Sequence, residues 1–438
     1  MDQTEALIIE TIDRHREEIL EFAGDIYSHA ELAYKEFQTS GKFVKKMEQL
    51  GLRTEKGFAI TGVKAYLNED KKENASLALL GELDALRIPE HAFANPETNA
   101  AHCCGHHAQM AGVFGAALAL TVPEIAEKLD GQVVFFATPA EEYGEIEFKN
   151  QLREQGKIRY GGGKCELLRI GAFDDIDLCL THHIRPGNEI LVGSGTGNGF
   201  VSKVIRVLGK ASHAAGAPEK GVNALSAASL GLQALGLNRE TFRDEDCVRV
   251  HPIITKGGNL VNVIPDEVVV ETLVRGKTIE AFTDAAKKTD RSFKAGAIAM
   301  GAKVEISTLP GYLPTLAEEA LPELKHAAEI SASGIPVIEA SGHAGGSTDV
   351  GDVQHLMPVY TFNTGGVKGG LHQIDFEVTD EEEAYIVTAK MFALAAYGLL
   401  KEKAQRSREL VDQYEPVFKN SAEYVEFMEQ FDSKEIFE

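Results

Sequence analysis

Apolar residues recur at helical spacing over residues 6–22, which predicts an amphipathic helix near the N-terminus. Short β-rich runs follow at 63–67, 76–80, 133–136 and 178–180, alternating with helical segments. That alternation predicts an α/β fold with a mixed, mostly parallel sheet flanked by helices. The last three runs are each soon followed by polar residues, at the strand ends where open α/β sheets place their ligands. From residue 199 the texture changes: a strand at 203–208, a helix opening near Asn223, strands around 248–255 and 267–274, a helix over 279–300 and a strand at 303–308. This spells a compact α+β unit, βαββαβ, inserted in the larger domain. The boundaries expected are 1–198 with 313–402 for the larger domain and 199–312 for the insert. After Pro310 helices and strands alternate again, and Thr379-Asp-Glu-Glu382 fits a capping box that opens a late helix. Residues 403–438 are charged and carry Tyr414, Phe418, Tyr424, Phe427 and Phe431 at roughly helical spacing, which predicts a C-terminal helical extension.

Composition agrees with this division. At 438 residues the chain exceeds what one core usually organises, so two domains are expected. A formal charge of −23 argues against nucleic acid and anionic membrane surfaces as partners, since both are bound through Lys and Arg. The N-terminal residues lack the pattern of a secretory signal, and of the five cysteines only Cys103 and Cys104 are adjacent, a poor disulfide framework. A reducing, cytoplasmic setting is the expectation.

Candidate chemistry concentrates at four places. His102-Cys-Cys-Gly-His-His107 sets thiol and imidazole donors around a glycine that permits a tight turn, a donor set suited to zinc, manganese or cobalt. Taken alone, such a tract is compositional evidence only. Just past the 133–136 run, Glu141 and Glu142 are consecutive carboxylates, of which one can bind metal while the other accepts a proton. The next strand supplies His182 and His183 before Pro186, and Gly369-Gly-Leu-His372 places a histidine in a glycine-rich turn.

Taken in order, Cys-Gly-His, Glu-Glu, His-x-x-Pro and the late glycine-rich His resemble the aminoacylase and glutamate carboxypeptidase superfamily of co-catalytic metallopeptidases. The likeness is to its amidohydrolase branch, with auxin-amino acid conjugate hydrolases, hippurate hydrolase and p-aminobenzoyl-glutamate hydrolase. Supporting segments are His29-Ala-Glu-Leu-Ala-Tyr-Lys-Glu36, Gly81-Glu-Leu-Asp-Ala-Leu86, Gly209-Lys-Ala-Ser-His213, Gly257-Gly-Asn-Leu-Val-Asn-Val-Ile-Pro-Asp266 and Gly346-Ser-Thr-Asp-Val-Gly-Asp352. The resemblance spans residues from about 20 to 400. It implies that Cys104, His106, Glu142, His183 and His372 hold two divalent ions, with the cysteine as bridge and Glu141 as general base. The insert then corresponds to a lid and dimerisation domain of a homodimer. Its His213 would reach the partner's site to stabilise the oxyanion, while Asn262 and Arg275 would grip a substrate carboxylate.

Two departures stand out. His107 follows the Cys-Gly-His where many relatives have Asp or Asn, and His102 and His182 are near enough in sequence to be rival ligands. The Glu pair is followed by 143–160 before Gly161-Gly-Gly-Lys-Cys resumes the pattern, which reads as an insertion. Its Ile146, Phe148 and Leu152 suggest a short helix with a small apolar face beside the substrate entrance. The activity expected is hydrolysis of an N-acyl amino acid, an aminobenzoyl-glutamate-type conjugate or a small dipeptide. The alternatives are hydrolytic deamination of an aromatic amino acid-like substrate at the same metals, and a non-catalytic metal-binding homologue.

Overall fold

The computed structural model describes residues 1–438, and these divide into two compact units. The first comprises Met1–Gly195, Leu316–Gly342 and Val353–Ser421. Its sheet has eight strands: β1 (Arg53–Phe58), β2 (Gly62–Leu67), β3 (Ser76–Glu82), β4 (Gln132–Thr138), β5 (Leu178–Ile184), β6 (Ile190–Val192), β7 (Val337–Glu339) and β8 (Val359–Thr364). Their spatial order is β1-β2-β4-β3-β5-β8-β6-β7. The central strands β4, β3, β5 and β8 run parallel, while β1, β2 and the β8–β6 pair are antiparallel. Every residue of β3 and β4 is buried, which is why these strands read as unbroken apolar runs and not as alternating ones. The helix His106–Leu120 is likewise buried along its whole length, as its sequence of Ala, Val, Leu, Phe and Met requires.

A late helical stretch, Glu382–Gln413, interrupted by non-helical backbone at Lys401–Ala404, is long and apolar enough to cross a membrane by length and composition, yet 89% of its most apolar window is buried inside the protein. It opens differently from the capping box read at Thr379: Asp380 Oδ1 accepts from the Glu383 amide at 3.2 Å, and Thr379 Oγ1 instead donates to the Gly366 carbonyl at 3.3 Å. The first turns, Glu382–Val387, are π-helical.

The second unit comprises Thr196–Thr315, His343–Asp352 and Ala422–Glu438. Gly199–Leu208, Glu267–Gly276 and Lys303–Pro310 form its antiparallel sheet with Ile253–Lys256 at one edge, and Ala224–Asn238 and Ile279–Met300 are its helices. The tail differs from the helical extension expected over 403–438. Its backbone is non-helical at Lys403 and Ala404, helical over 405–413 and again over Ser421–Glu429, but Ser433–Phe437 is a strand paired antiparallel with Lys303–Pro310. The aromatic spacing that suggested one helix serves two different contacts. Tyr424 packs at 0% exposure and donates from its hydroxyl to Asp352 Oδ1 at 2.9 Å, while the five residues after Asp432 complete the sheet edge.

Candidate metal centre

The chemistry gathers at the C-terminal ends of the parallel strands. Gly105 (φ +87°) ends the approach to the buried helix in a left-handed conformation, and a Cβ there would lie 2.0 Å from Ile184 Cγ2. A side chain is excluded on both counts. The turn sets Cys104 just before the helix and His106 at its first position. Cys104 Sγ is 3.3 Å from Nε2 of His183, on β5, and 3.3 Å from Nε2 of His372. His372 Nε2 in turn lies 3.1 Å from Glu142 Oε1. Three groups of donors result, Cys104–His106–His183, Cys104–Glu142–His372 and Glu82–His106–Glu141, and within each the ligand atoms lie within 4.8 Å of one another. The first two share the thiol, so Cys104 would be a donor common to two ions held there.

The imidazoles are set for coordination by their other nitrogens. His183 Nδ1 is 2.7 Å from the Ile184 carbonyl, and His106 Nδ1 is 2.9 Å from the Asp84 carbonyl and 3.2 Å from its carboxylate. A nitrogen so engaged fixes the tautomer and presents Nε2 as donor, the usual arrangement around metal-bound histidine. Nε2 of His106 is buried, 3.1 Å from Glu82 Oε2 but without the geometry of a hydrogen bond. The residues present therefore fit a pair of divalent ions. Burial and the neighbouring Glu142 push the Cys104 thiol well above its ordinary range, a bias that a bound cation reverses. Burial also opposes ionisation of Glu142, but His372 and His106 outweigh it and hold that carboxyl below its ordinary value.

Glu141 sits beside these groups, 8% exposed, with Oε2 3.9 Å from His106 Nε2. The backbone that carries the glutamate pair is pinned from three sides. Ala140 takes φ +52°, uncommon for a residue with a Cβ. Its N–H donates to Glu36 Oε1 at 2.9 Å, its carbonyl accepts from Gly163 N–H at 2.9 Å, and Glu142 N–H donates to Asp84 Oδ2 at 2.9 Å. Burial and the nearby Asp84 raise the Glu36 carboxyl to about 7. Asp84 and Glu36 lie inside motifs quoted above, yet sequence reading gave neither a role.

A model of the family described as Peptidase family M20/M25/M40 matches residues 78–397. The chain belongs to that family. A Xaa-Arg dipeptidase from Mus musculus is 27% identical over 408 residues, covering 90% of this chain and 85% of the relative. An IAA-amino acid hydrolase ILR1-like 2 from Arabidopsis thaliana is 31% identical over 265 residues, covering 59% and 54%. Among solved structures, a Bacillus subtilis protein described as a dinuclear metal binding peptidase from the M20 family superposes with a TM-score of 0.61 at 23% identity, covering 89% of this chain and 99% of that one. This M20 chain is thus a metal-dependent hydrolase of amide bonds, with the mixed α/β fold of its relatives.

The M20 hydrolase keeps the rivals His102 and His182, and His107 with them, out of the donor groups, for reasons of geometry. Consecutive residues of a strand face opposite ways, so with His183 turned to Cys104, His182 points back, 2.8 Å from Thr364 Oγ1 and with its ring tilted 47° against Phe362 at 4.9 Å. Consecutive helical residues are about 100° apart, so His107 leaves His106 and meets the Tyr385 hydroxyl at 3.2 Å. Burial lowers His107 to about 3. His102 packs against it, ring centroids 5.3 Å apart, and burial holds it neutral as well.

The remaining expected residues lie in the second unit. His213 and Asn262 are neighbours there: His213 pairs with Val263 in an isolated bridge, and Ala214 N–H donates to the Asn262 carbonyl at 3.0 Å. His213 Nδ1 accepts from the Ala215 and Gly216 amides at 3.2 and 3.0 Å, which leaves Nε2 for other partners on an exposed side chain. Arg275 is the penultimate residue of the strand Glu267–Gly276, its guanidinium 5.7 Å from the Phe200 ring centroid.

Proposed function

We propose that the protein hydrolyses the amide of a small N-acyl amino acid, amino-acid conjugate or dipeptide. In this reading Cys104, His106, Glu142, His183 and His372 hold two ions of zinc, manganese or cobalt. The observation that carries it is the pair of donor groups sharing one buried thiol, with Glu141 beside them. The relatives' names support the substrate class, since each names an amino acid or its amide. When bound, the ions polarise the scissile carbonyl and bring the pKa of water from about 15.7 to about 7. Glu141 takes the proton from the attacking water and returns it to the leaving amine, a role worth roughly 10² to 10⁴ in rate. Glu142, held by Asp84 and facing His372, stays ionised as a ligand.

The working unit is a homodimer in this reading. The edge strand Ile253–Lys256 and the loop after it expose Ile253 at 53% and Val261 at 103%, with Ile254, Leu260 and Val263 also exposed. An apolar unpaired edge of this kind invites a second copy. His213 and Asn262 border that patch, which supports their use at a partner's site, with Arg275 on the substrate carboxylate. Five free cysteines suit a cytoplasmic protein.

Glu141→Gln tests the mechanism. The variant should bind both ions and lose turnover by a factor of at least about 100, because the amide cannot accept a proton. Activity within about tenfold of the parent would remove Glu141 from the role of base.

A further inference from the structure

Residues 143–160, between the glutamate pair and Gly161, contain the helix Ile146–Glu154. The residues it turns inward are Ile146, Lys149 and Leu152, one helical face that includes a lysine. Lys149 is 1% exposed, and its Nζ donates to the backbone carbonyl of Glu142 at 2.6 Å. The ammonium also lies 4.8 Å from the centroid of the Tyr143 ring and 5.7 Å from that of Tyr34. A lysine is almost never fully buried unless partnered, since its desolvation is costly. A helix that served only to cover the surface would carry Leu or Met at this position.

The helix is itself held at both ends of the segment. Lys35 pairs with Glu145 at 2.8 Å and sits 4.1 Å over the Phe148 ring. The Tyr34 hydroxyl donates to the Tyr160 carbonyl at 3.1 Å. Lys149 thus acts from a fixed support. On the other side of the Glu142 Cα, the amide N–H donates to Asp84 Oδ2 at 2.9 Å. Both peptide groups that flank this Cα are therefore anchored by buried charged side chains, and the carboxylate between them faces His372 at 3.1 Å.

We infer that Lys149 is a positioning residue of the metal centre, and that the helix Ile146–Glu154 is a brace that aims the Glu142 carboxylate and sets the ion affinity of the Cys104–Glu142–His372 group. The inference rests on Glu142 being a ligand, as proposed above. Outer-shell partners of ligands change metal affinity by about 10–100-fold when removed, because the ligand then samples directions that do not coordinate.

The test is a zinc titration of the metal-stripped full chain against a chromophoric chelator, resolving two sites. Lys149→Met keeps the length and packing of the side chain and removes the donor. It should weaken one site by about 10–100-fold and leave the other unchanged. Lys149→Arg, which restores a cationic donor, should recover most of that loss, a rescue that general destabilisation would not give. Glu142→Gln serves as reference and should weaken the same site. If Glu142→Gln weakens a site and Lys149→Met weakens neither, the brace is wrong and the ligand assignment stands. If Glu142→Gln leaves both sites intact, the ligand assignment falls and takes the brace with it. Should Lys149→Met fail to fold, Lys149→Gln, shorter and neutral, is read by the same criteria.

Discussion

Lys164 gives the sharpest quantitative expectation. Its side chain is 0% exposed, and Nζ lies 2.6 Å from Oε1 of Glu82, itself 4% exposed at the end of β3. The other Glu82 oxygen accepts from Gln109 Nε2 at 2.8 Å and lies 3.1 Å from His106 Nε2. Burial alone would raise the Glu82 carboxyl, but Lys164 and His106 overcome it and hold the group down at about 2. A fall to about 2 from an ordinary value near 4.5 corresponds to roughly 3 kcal/mol of folding free energy at neutral pH. Because the folded value is the lower one, this contribution is complete above about pH 4.5 and fades as the pH falls toward 2. Removing one partner of a buried pair gives the same size independently, about 3–5 kcal/mol, since the remaining charge is left uncompensated. Lys164→Met should therefore cost about 3 kcal/mol at pH 7 in urea unfolding of the metal-free protein, followed by circular dichroism. Adding Glu82→Gln removes the stranded charge and should return part of the loss, so the two substitutions are strongly non-additive. A single variant that loses less than about 1 kcal/mol, or a double variant that loses the sum of both singles, would refute the argument.

Two further outcomes can be measured separately. Burial raises the Glu318 carboxyl to about 8, against the Thr361 amide and Gln354, which favour its charged form. The folded chain thus keeps a proton that the unfolded chain releases, and stability declines as pH rises from about 4.5 through 8. Glu318→Gln should raise the Tm at about pH 8.5 and change it little at about pH 5; equal effects at both would contradict the assignment. For the proposed homodimer, mixing inactive Glu141→Gln with inactive His213→Ala subunits should regain activity through heterodimers that hold one intact composite site. Absence of any recovery while subunits demonstrably exchange would argue against a shared site.

Much of the fold was legible because its central strands are buried on both faces. The runs at 76–80, 133–136 and 178–180 sit inside β3, β4 and β5, and the helix expected over 279–300 is observed at Ile279–Met300, where Gly301 at φ +66° ends it. The tail strand was not legible. Ser433–Phe437 pairs with Val304–Thr308, more than a hundred residues earlier, and an edge strand that is exposed at four of its five positions carries no buried run to betray it. The late helix start was misjudged by one residue for a local reason: Thr379 and Asp380 are both good caps, and only the tertiary contact of Thr379 with Gly366 decides between them.

The donors themselves could be found in sequence because thiol, imidazole and carboxylate are rare in such spacing. What supports them could not, because the supporting residues are named by three-dimensional neighbours and their types are ordinary elsewhere. Lys149 shows how the reading fails. Among 143–160 the apolar residues Ile146, Phe148 and Leu152 seem to define a face, and Lys149 falls among the mixed surface charges. Yet positions 146 and 148 are about 200° apart on a helix and cannot share a face, whereas 146, 149 and 152 recur at near-helical spacing. The structure takes that second phase, burying Ile146 at 8% and Leu152 at 6% around a lysine at 1%, and leaves Phe148 half-buried beneath Lys35. Periodicity alone already favoured the inward lysine; the prior that charge belongs at the surface overrode it. That prior fails where a charged side chain has a fixed polar partner to meet, and the Glu142 carbonyl is such a partner. A charged residue that falls in phase with an apolar helical face, next to a candidate ligand, is therefore better read as a support for that ligand than as solvated surface.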